Sequence, residues 1–198
     1  MKVLKFGGTS VASAGNIRNI VSIIEDNIRQ GEHLAVVFSA MSGVTNKLLE
    51  IGRMAAAGNE SYKELLDAIE AKHFSLIKSL IPVQSQSNIL AVTKSGFNEL
   101  ADLLRGVSLI REFSSRTSDL TVSFGERLST RIISVVFNCA GISAEFCDAR
   151  DLIVTDNHFG MANVDFRLTN ARIAEHFGSR SAIQCITGFI GQTEDKIT

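Results

Sequence analysis

No apolar stretch approaches the ~18 uninterrupted residues that a membrane span requires, and Gly7 and Gly8 break up any signal-peptide core at the start of the chain. Insertion and export are set aside, and the expected compartment is the cytoplasm. Runs of like charge are missing too. The 20 basic and 21 acidic residues leave a net charge of −1, which offers neither nucleic acid nor an anionic membrane a surface to bind. A small-molecule partner is therefore expected. Cysteine is scarce: Cys139, Cys147 and Cys185 have no CxxC spacing and apolar neighbours, the pattern of buried, reduced thiols. The histidines, at 33, 73, 158 and 176, form neither HxxxH nor HExxH, so no metal site is expected from them. Absent as well are GxxxxGK[ST] and a strand-linked GxGxxG, which excludes a Walker-type NTPase and a Rossmann dehydrogenase half. There is no internal repeat, linker or low-complexity segment, and Pro82 is the only proline.

What is present suits a packed domain: 198 residues, 45% hydrophobic and 21% charged, enough for a core in one domain or two lobes. The hydrophobic period switches repeatedly between strand and helix. KVLKF at 2–6 and HLAVVFSA at 33–40 read as buried strands. Between them Ile17, Ile20, Val21, Ile24 and Ile28 recur at helical spacing over 13–30, and Gly31 supplies the stop. Helical patterns then run over about 44–57, 60–80 and 85–105, with ordinary apolar stripes that read as core packing. A connection at 106–120 leads to a helix at about 119–140. Strands are expected at 144–149 and 152–155, a helix at 164–177, a strand at 182–186 and a turn GFIG at 188–191. The expected fold is α/β: a three-layer α/β/α sandwich on a mostly parallel sheet, with a helical elaboration at 44–118.

In such sheets ligands bind at the carboxyl ends of the strands. There the chain places Gly7, Gly8, Thr9 and Ser10, then Ser39, Ala40, Ser42, Gly43, Thr45 and Asn46, then Gly188 and Gly191. Small and hydroxyl residues let backbone N–H groups approach an anion, and a helix starting just beyond adds partial positive charge. Phosphate or carboxylate chemistry follows. Lys5, between Leu4 and Phe6, is expected to send its ammonium to that site; the alternative is a solvent-facing charge on an edge strand. Glu126, in SFGERLS, lies early in the expected helix. It is either a carboxylate satisfying the helix dipole or a receptor for a substrate ammonium.

KFGGTSV at 5–11, SAMSGVTN at 39–46, SFGERLST at 123–130 and ITGFIG at 186–191 resemble the successive motifs of the aspartokinases, in the amino-acid kinase fold. GVSLIREFSSRTSDL and FCDARDLIVTDNHFG follow in the family's order, so the resemblance covers nearly the whole chain. It is similar both to monofunctional enzymes and to the kinase half of bifunctional aspartokinase/homoserine dehydrogenases, and leans to the latter.

The resemblance implies phosphorylation of L-aspartate by ATP with Mg2+, giving 4-phospho-L-aspartate on the way to lysine, threonine and methionine. It implies that Lys5 neutralises developing phosphate charge and that Gly7, Gly8, Thr9 and Ser10 line the phosphate site. Ser39, Ala40 and Thr45 would contact aspartate, and Glu126 its α-ammonium. A homo-oligomer is implied for the complete protein. In the family an arginine and an aspartate in a Thr/Gly-rich segment follow GFIG almost directly, whereas this chain stops at TEDKIT. Residues 1–198 are thus expected to be the N-terminal, aspartate- and phosphate-binding part of an amino-acid kinase domain, inactive alone and with an unpaired sheet edge. A glutamate- or acetylglutamate-type kinase and a noncatalytic amino-acid-binding module are the other readings of the same scaffold.

Overall fold

The structure is a computed structural model that describes residues 1–178 and 180–198. In chain order it has β1 (Lys2–Phe6), α1 (Ala14–Arg29), β2 (Leu34–Phe38), α2 (Val44–Ala57), α3 (Tyr62–Leu80), α4 (Gln86–Ile110), α5 (Ser115–Cys139), β3 (Ala144–Cys147), α6 (Phe166–Gly178) and β4 (Ile183–Thr187). Short 3-10 turns cover Val83–Ser85 and Ala149–Asp151. The strands form a parallel sheet in the order β1-β2-β4-β3. Strands β2 and β4, which lie inside the sheet, read LAVVF and IQCIT without polar alternation, as strands covered on both faces do.

The register assigns the two faces. Leu4, Phe6, Leu34, Val36, Phe38, Ile183 and Cys185 share one, and they join Ile17, Ile20 and Ile24 of α1 and Ile133 and Phe137 of α5 in a continuous apolar core. Phe38 is its centre, stacked on Phe6 at 5.8 Å between ring centroids and edge-on to Phe137 at 5.9 Å. Each such side chain fully removed from water contributes about 1.5–3 kcal/mol. The second face carries Val3, Lys5, Ala35, Val37, Gln184 and Glu145. Its third layer is α6, where His176 Nε2 meets Gln184 Oε1 at 2.8 Å, and the following Arg180 pairs with Glu145 at 3.3 Å. That cover lies over β3 and β4; on edge strand β1, Val3 remains 60% exposed. The helical elaboration is a bundle: α2, α3 and α4 pack on one another and on α5 through Leu48, Ile51, Ile69, Ile77, Leu100 and Leu104.

Several expected boundaries move. Helix α4 continues to Ile110 because Val107 extends its buried stripe, and α5 starts at Ser115, where the Ser114 hydroxyl accepts the Thr117 N–H at 3.3 Å. Most of the expected connection at 106–120 is therefore helical, and Glu126 lies well inside α5 rather than at its start. Residues 152–155 form no strand. The Val154 N–H goes to Thr169 Oγ1 at 3.0 Å, and only isolated bridges, Val154 to Gln192 and Thr155 to Val164, remain. Cys139 is exposed, contrary to expectation, because it ends α5 where the helix leaves the core. Cys147 and Cys185 are buried as free thiols, and burial first of all pushes their pKa up to about 11 and about 12.

Candidate functional site

The loops after β1, β2 and β4 are stitched together by backbone hydrogen bonds that carry the sheet's order past the strand ends. The Ser39 N–H donates to Phe6 O at 3.1 Å, the Ser42 N–H to Gly8 O at 3.1 Å, and the Gly188 N–H to Phe38 O at 2.8 Å. Around them opens a cavity of about 560 Å³ bordered by Gly8 and Thr9, by Ser39, Ala40 and Thr45, and by Glu126. Val122 of α5 and Phe189 and Ile190 of the last turn complete its wall. A larger groove, about 870 Å³, lies at the amino ends of the strands beside His33, Ile142 and Phe177. The carboxyl-end cavity is the better candidate, because loop N–H groups and helix N-termini converge only at that end of a parallel sheet.

Glu126 is the acidic group of this cavity and is only 6% exposed. Burial raises its pKa, opposed by the Ala40 N–H, which donates to Oε1 at 3.3 Å, and by its own backbone. A carboxylate so placed gains from any ligand that brings it a cation. Helix α5 comes this close because Gly125 has no side chain: a Cβ there would lie 2.8 Å from the Ala40 Cβ. One turn on, Ser129 is fully buried, and its hydroxyl donates to Ser39 O at 2.9 Å. Ser129 stands in the SFGERLST stretch but is not singled out by sequence reasoning; its partner is 90 residues away.

Three expected residues do not line the cavity. Gly7 shapes the first turn, its carbonyl accepting the Ser10 N–H at 2.9 Å. Ser10 borders a separate shallow groove with Asn16 and Asn19 of α1. Lys5 is exposed on edge strand β1, as in the alternative reading of it, and does not border the cavity. Its ammonium nevertheless sits 4.6 Å from the ring centroid of Phe189, the residue that borders the cavity. Sequence reasoning singled out Gly188 and Gly191 of the GFIG turn and missed Phe189 between them. The residue is 87% exposed and its backbone is left-handed at φ +59°, a strained choice for a bulky residue.

A sequence profile of the amino acid kinase family matches residues 1–197. The chain belongs to the amino acid kinase family. Among members of this family it is 32% identical over 198 residues to the bifunctional aspartokinase/homoserine dehydrogenase 2 of Arabidopsis thaliana, covering 98% of this chain and 21% of that protein. It is 33% identical to aspartokinase 1 of the same plant, covering 96% and 33%. The crystal structure of E. coli aspartokinase III with aspartate and ADP matches with a TM-score of 0.87 at 26% identity, over 98% of this chain and 42% of that one. The chain thus spans a third or less of the length of these curated relatives. The match confirms the α/β amino-acid kinase fold, built on a parallel sheet.

Proposed function

We propose that the carboxyl-end cavity binds L-aspartate beside the phosphates of magnesium–ATP, and that the protein is an aspartokinase. The observation that carries this is Glu126, a buried carboxylate sharing one cavity with Gly8, Thr9, Ser39, Ala40 and Thr45. Glu126 receives the substrate α-ammonium. Ser39, Ala40 and Thr45 border the amino acid, Gly8 and Thr9 meet the phosphates, and Gly7 and Ser10 shape that turn. Lys5 reaches the transferring phosphoryl group by leaving the Phe189 ring.

The substrate β-carboxylate is ionised at neutral pH, so no base is needed. One of its oxygens attacks the γ-phosphorus, the bond to the bridging oxygen breaks with its electron pair passing to ADP, and 4-phospho-L-aspartate results. Catalysis is alignment plus electrostatic stabilisation. Magnesium would come with the nucleotide and neutralise phosphate charge, since among the described residues Glu126 is the one carboxylate that borders the cavity. The complex with aspartate and ADP belongs to the E. coli relative, and its substrates support this reading by likeness. The cytoplasm is the proposed compartment, consistent with three free thiols. A homo-oligomer is also proposed, supported by the exposed edge strand.

The test is hydroxylamine trapping of acyl phosphate by the full-length gene product, with magnesium–ATP and either L-aspartate or L-glutamate. Aspartate-dependent signal that falls by about a hundredfold or more in Glu126→Gln, the loss of a buried charge-assisted contact, is the expected result. Glutamate-dependent signal would move the protein to a sister kinase, and no signal from folded protein would leave a noncatalytic binding module.

A further inference from the structure

The loop from Ser39 to Ser42 is held from outside by three side chains. Two come from α5: Ser129 Oγ donates to Ser39 O at 2.9 Å, and Glu126 Oε1 accepts from the Ala40 N–H at 3.3 Å. The third comes from the helical elaboration, where Lys72 of α3 extends its ammonium to Ser42 O at 3.0 Å. Ser42 is pinned on its other side as well, its N–H donating to Gly8 O at 3.1 Å. One residue therefore joins the bundle, the loop after β2 and the loop after β1.

The peptide plane between Ser42 and Gly43 gives that contact a consequence. In a trans peptide the C=O and the next N–H point in opposite directions. A cation holding Ser42 O toward α3 turns the Gly43 N–H away from α3, and no α3 residue borders the cavity that Gly43 helps to line. Gly43 is left-handed at φ +79° and directly precedes α2, with no side-chain cap there. Without the lysine, little in the loop opposes a flip of this plane. Burial, and then the neighbouring Lys47, lower the Lys72 pKa.

We infer that Lys72 is a positioning residue: it fixes the Ser42–Gly43 peptide plane so that the Gly43 N–H is presented to a carboxylate or phosphate oxygen in the cavity. The bundle thereby sets the affinity of the site from outside it. The inference rests on the reading of this cavity as an amino-acid and phosphate site.

The experiment is amide hydrogen exchange and NMR titration with L-aspartate and with inorganic phosphate on the 198-residue chain. Wild type is compared with Lys72→Met, Lys72→Gln and Lys72→Arg. In the Met and Gln variants the Gly43 amide resonance should move and L-aspartate affinity should fall about tenfold, roughly the worth of one hydrogen bond to a charged group, while the Ser42 amide, whose N–H goes to Gly8 O on the preceding peptide plane, should exchange near the wild-type rate. The α3 amides should keep wild-type rates, and Arg should restore both signals. An unchanged Gly43 shift in Met and Gln, or an equal rise in exchange throughout α2–α4, would overturn the inference. So would equal ligand affinity in wild type and Lys72→Met. If neither ligand shifts any cavity amide in wild type, the substrate reading falls, while the Gly43 resonance in the variants still decides whether Lys72 holds the plane.

Discussion

The helical bundle and the loop cluster at the strand ends sit side by side, yet they are held together by different physics. In the bundle, Ile69, Leu100 and Leu104 are fully or almost fully buried and interlock as side chains; any apolar group of similar volume would serve nearly as well. In the loop cluster the contacts run through backbone groups, to one another and to the side chains of Glu126, Ser129 and Lys72, and the loops' own side chains matter mainly by being small enough to permit them. Apart from Lys72, which joins the two regions, substitutions should therefore act on stability in the first region and on ligand binding in the second.

Leu100→Ala should show the first behaviour at full strength. A cavity in the bundle should cost about 2–5 kcal/mol of unfolding free energy, read from urea melts, while L-aspartate affinity of the folded fraction stays within about twofold, as expected for sites without shared contacts. A matching loss of affinity would mean that the two regions are not separable.

The bundle also contains a titratable flaw. His73 is fully buried against Phe97, with ring centroids 5.2 Å apart; Nδ1 lies 2.8 Å from Ile69 O and must donate to it, which leaves Nε2 an acceptor without a partner. Burial above all, and Lys72 to a lesser degree, lower its pKa from 6.5 to about 4. The folded pKa lies below the unfolded one, so the unfolded chain binds more protons between them. Stability is complete above about pH 6.5 and falls as pH drops toward 4, by about 3 kcal/mol if the full difference is realised. His73→Leu should flatten that pH dependence and, by removing an unsatisfied acceptor, leave the protein at least as stable at pH 7. An unchanged slope would place the acid sensitivity elsewhere.

Gly125→Ala is the corresponding probe of the loop cluster and the smallest in stability. A Cβ lying 2.8 Å from that of Ala40 must push α5 and the loop apart, costing about 1–3 kcal/mol. The larger effect should appear in binding, because Glu126 moves with the helix: calorimetry should show L-aspartate affinity lost by more than the melt predicts. Equal losses in both would reduce Gly125 to a packing residue.

Much of this was legible in the chain itself. The strand within 33–40 carries a β-branched, unalternating run of the kind a doubly covered sheet buries, whereas KVLKF at 2–6, read the same way, is an edge strand with one face open; the small residues after both announce close backbone approach. The start of α5 was not legible, because Ser114 is one of several hydroxyl residues in SSRTS and nothing local says which of them caps. Residues 152–155 look like a strand because LIVT has strand propensity; Thr169 claims the Val154 N–H instead. Ser10 belongs to the same motif as Gly8, yet the turn closed by its N–H onto Gly7 O aims it at α1.

The amino-acid sequence by itself determined the alternation of strand and helix, the parallel sheet and the residue types at its carboxyl ends, since periodicity and glycine placement act over neighbouring positions. Only the tertiary structure decided that Glu126 reaches Ala40 across 86 positions, that Ser129 and Lys72 hold the same loop, and that Lys5 stands beside Phe189. Those pairings depend on where the packed core brings distant backbone together, which no local pattern encodes.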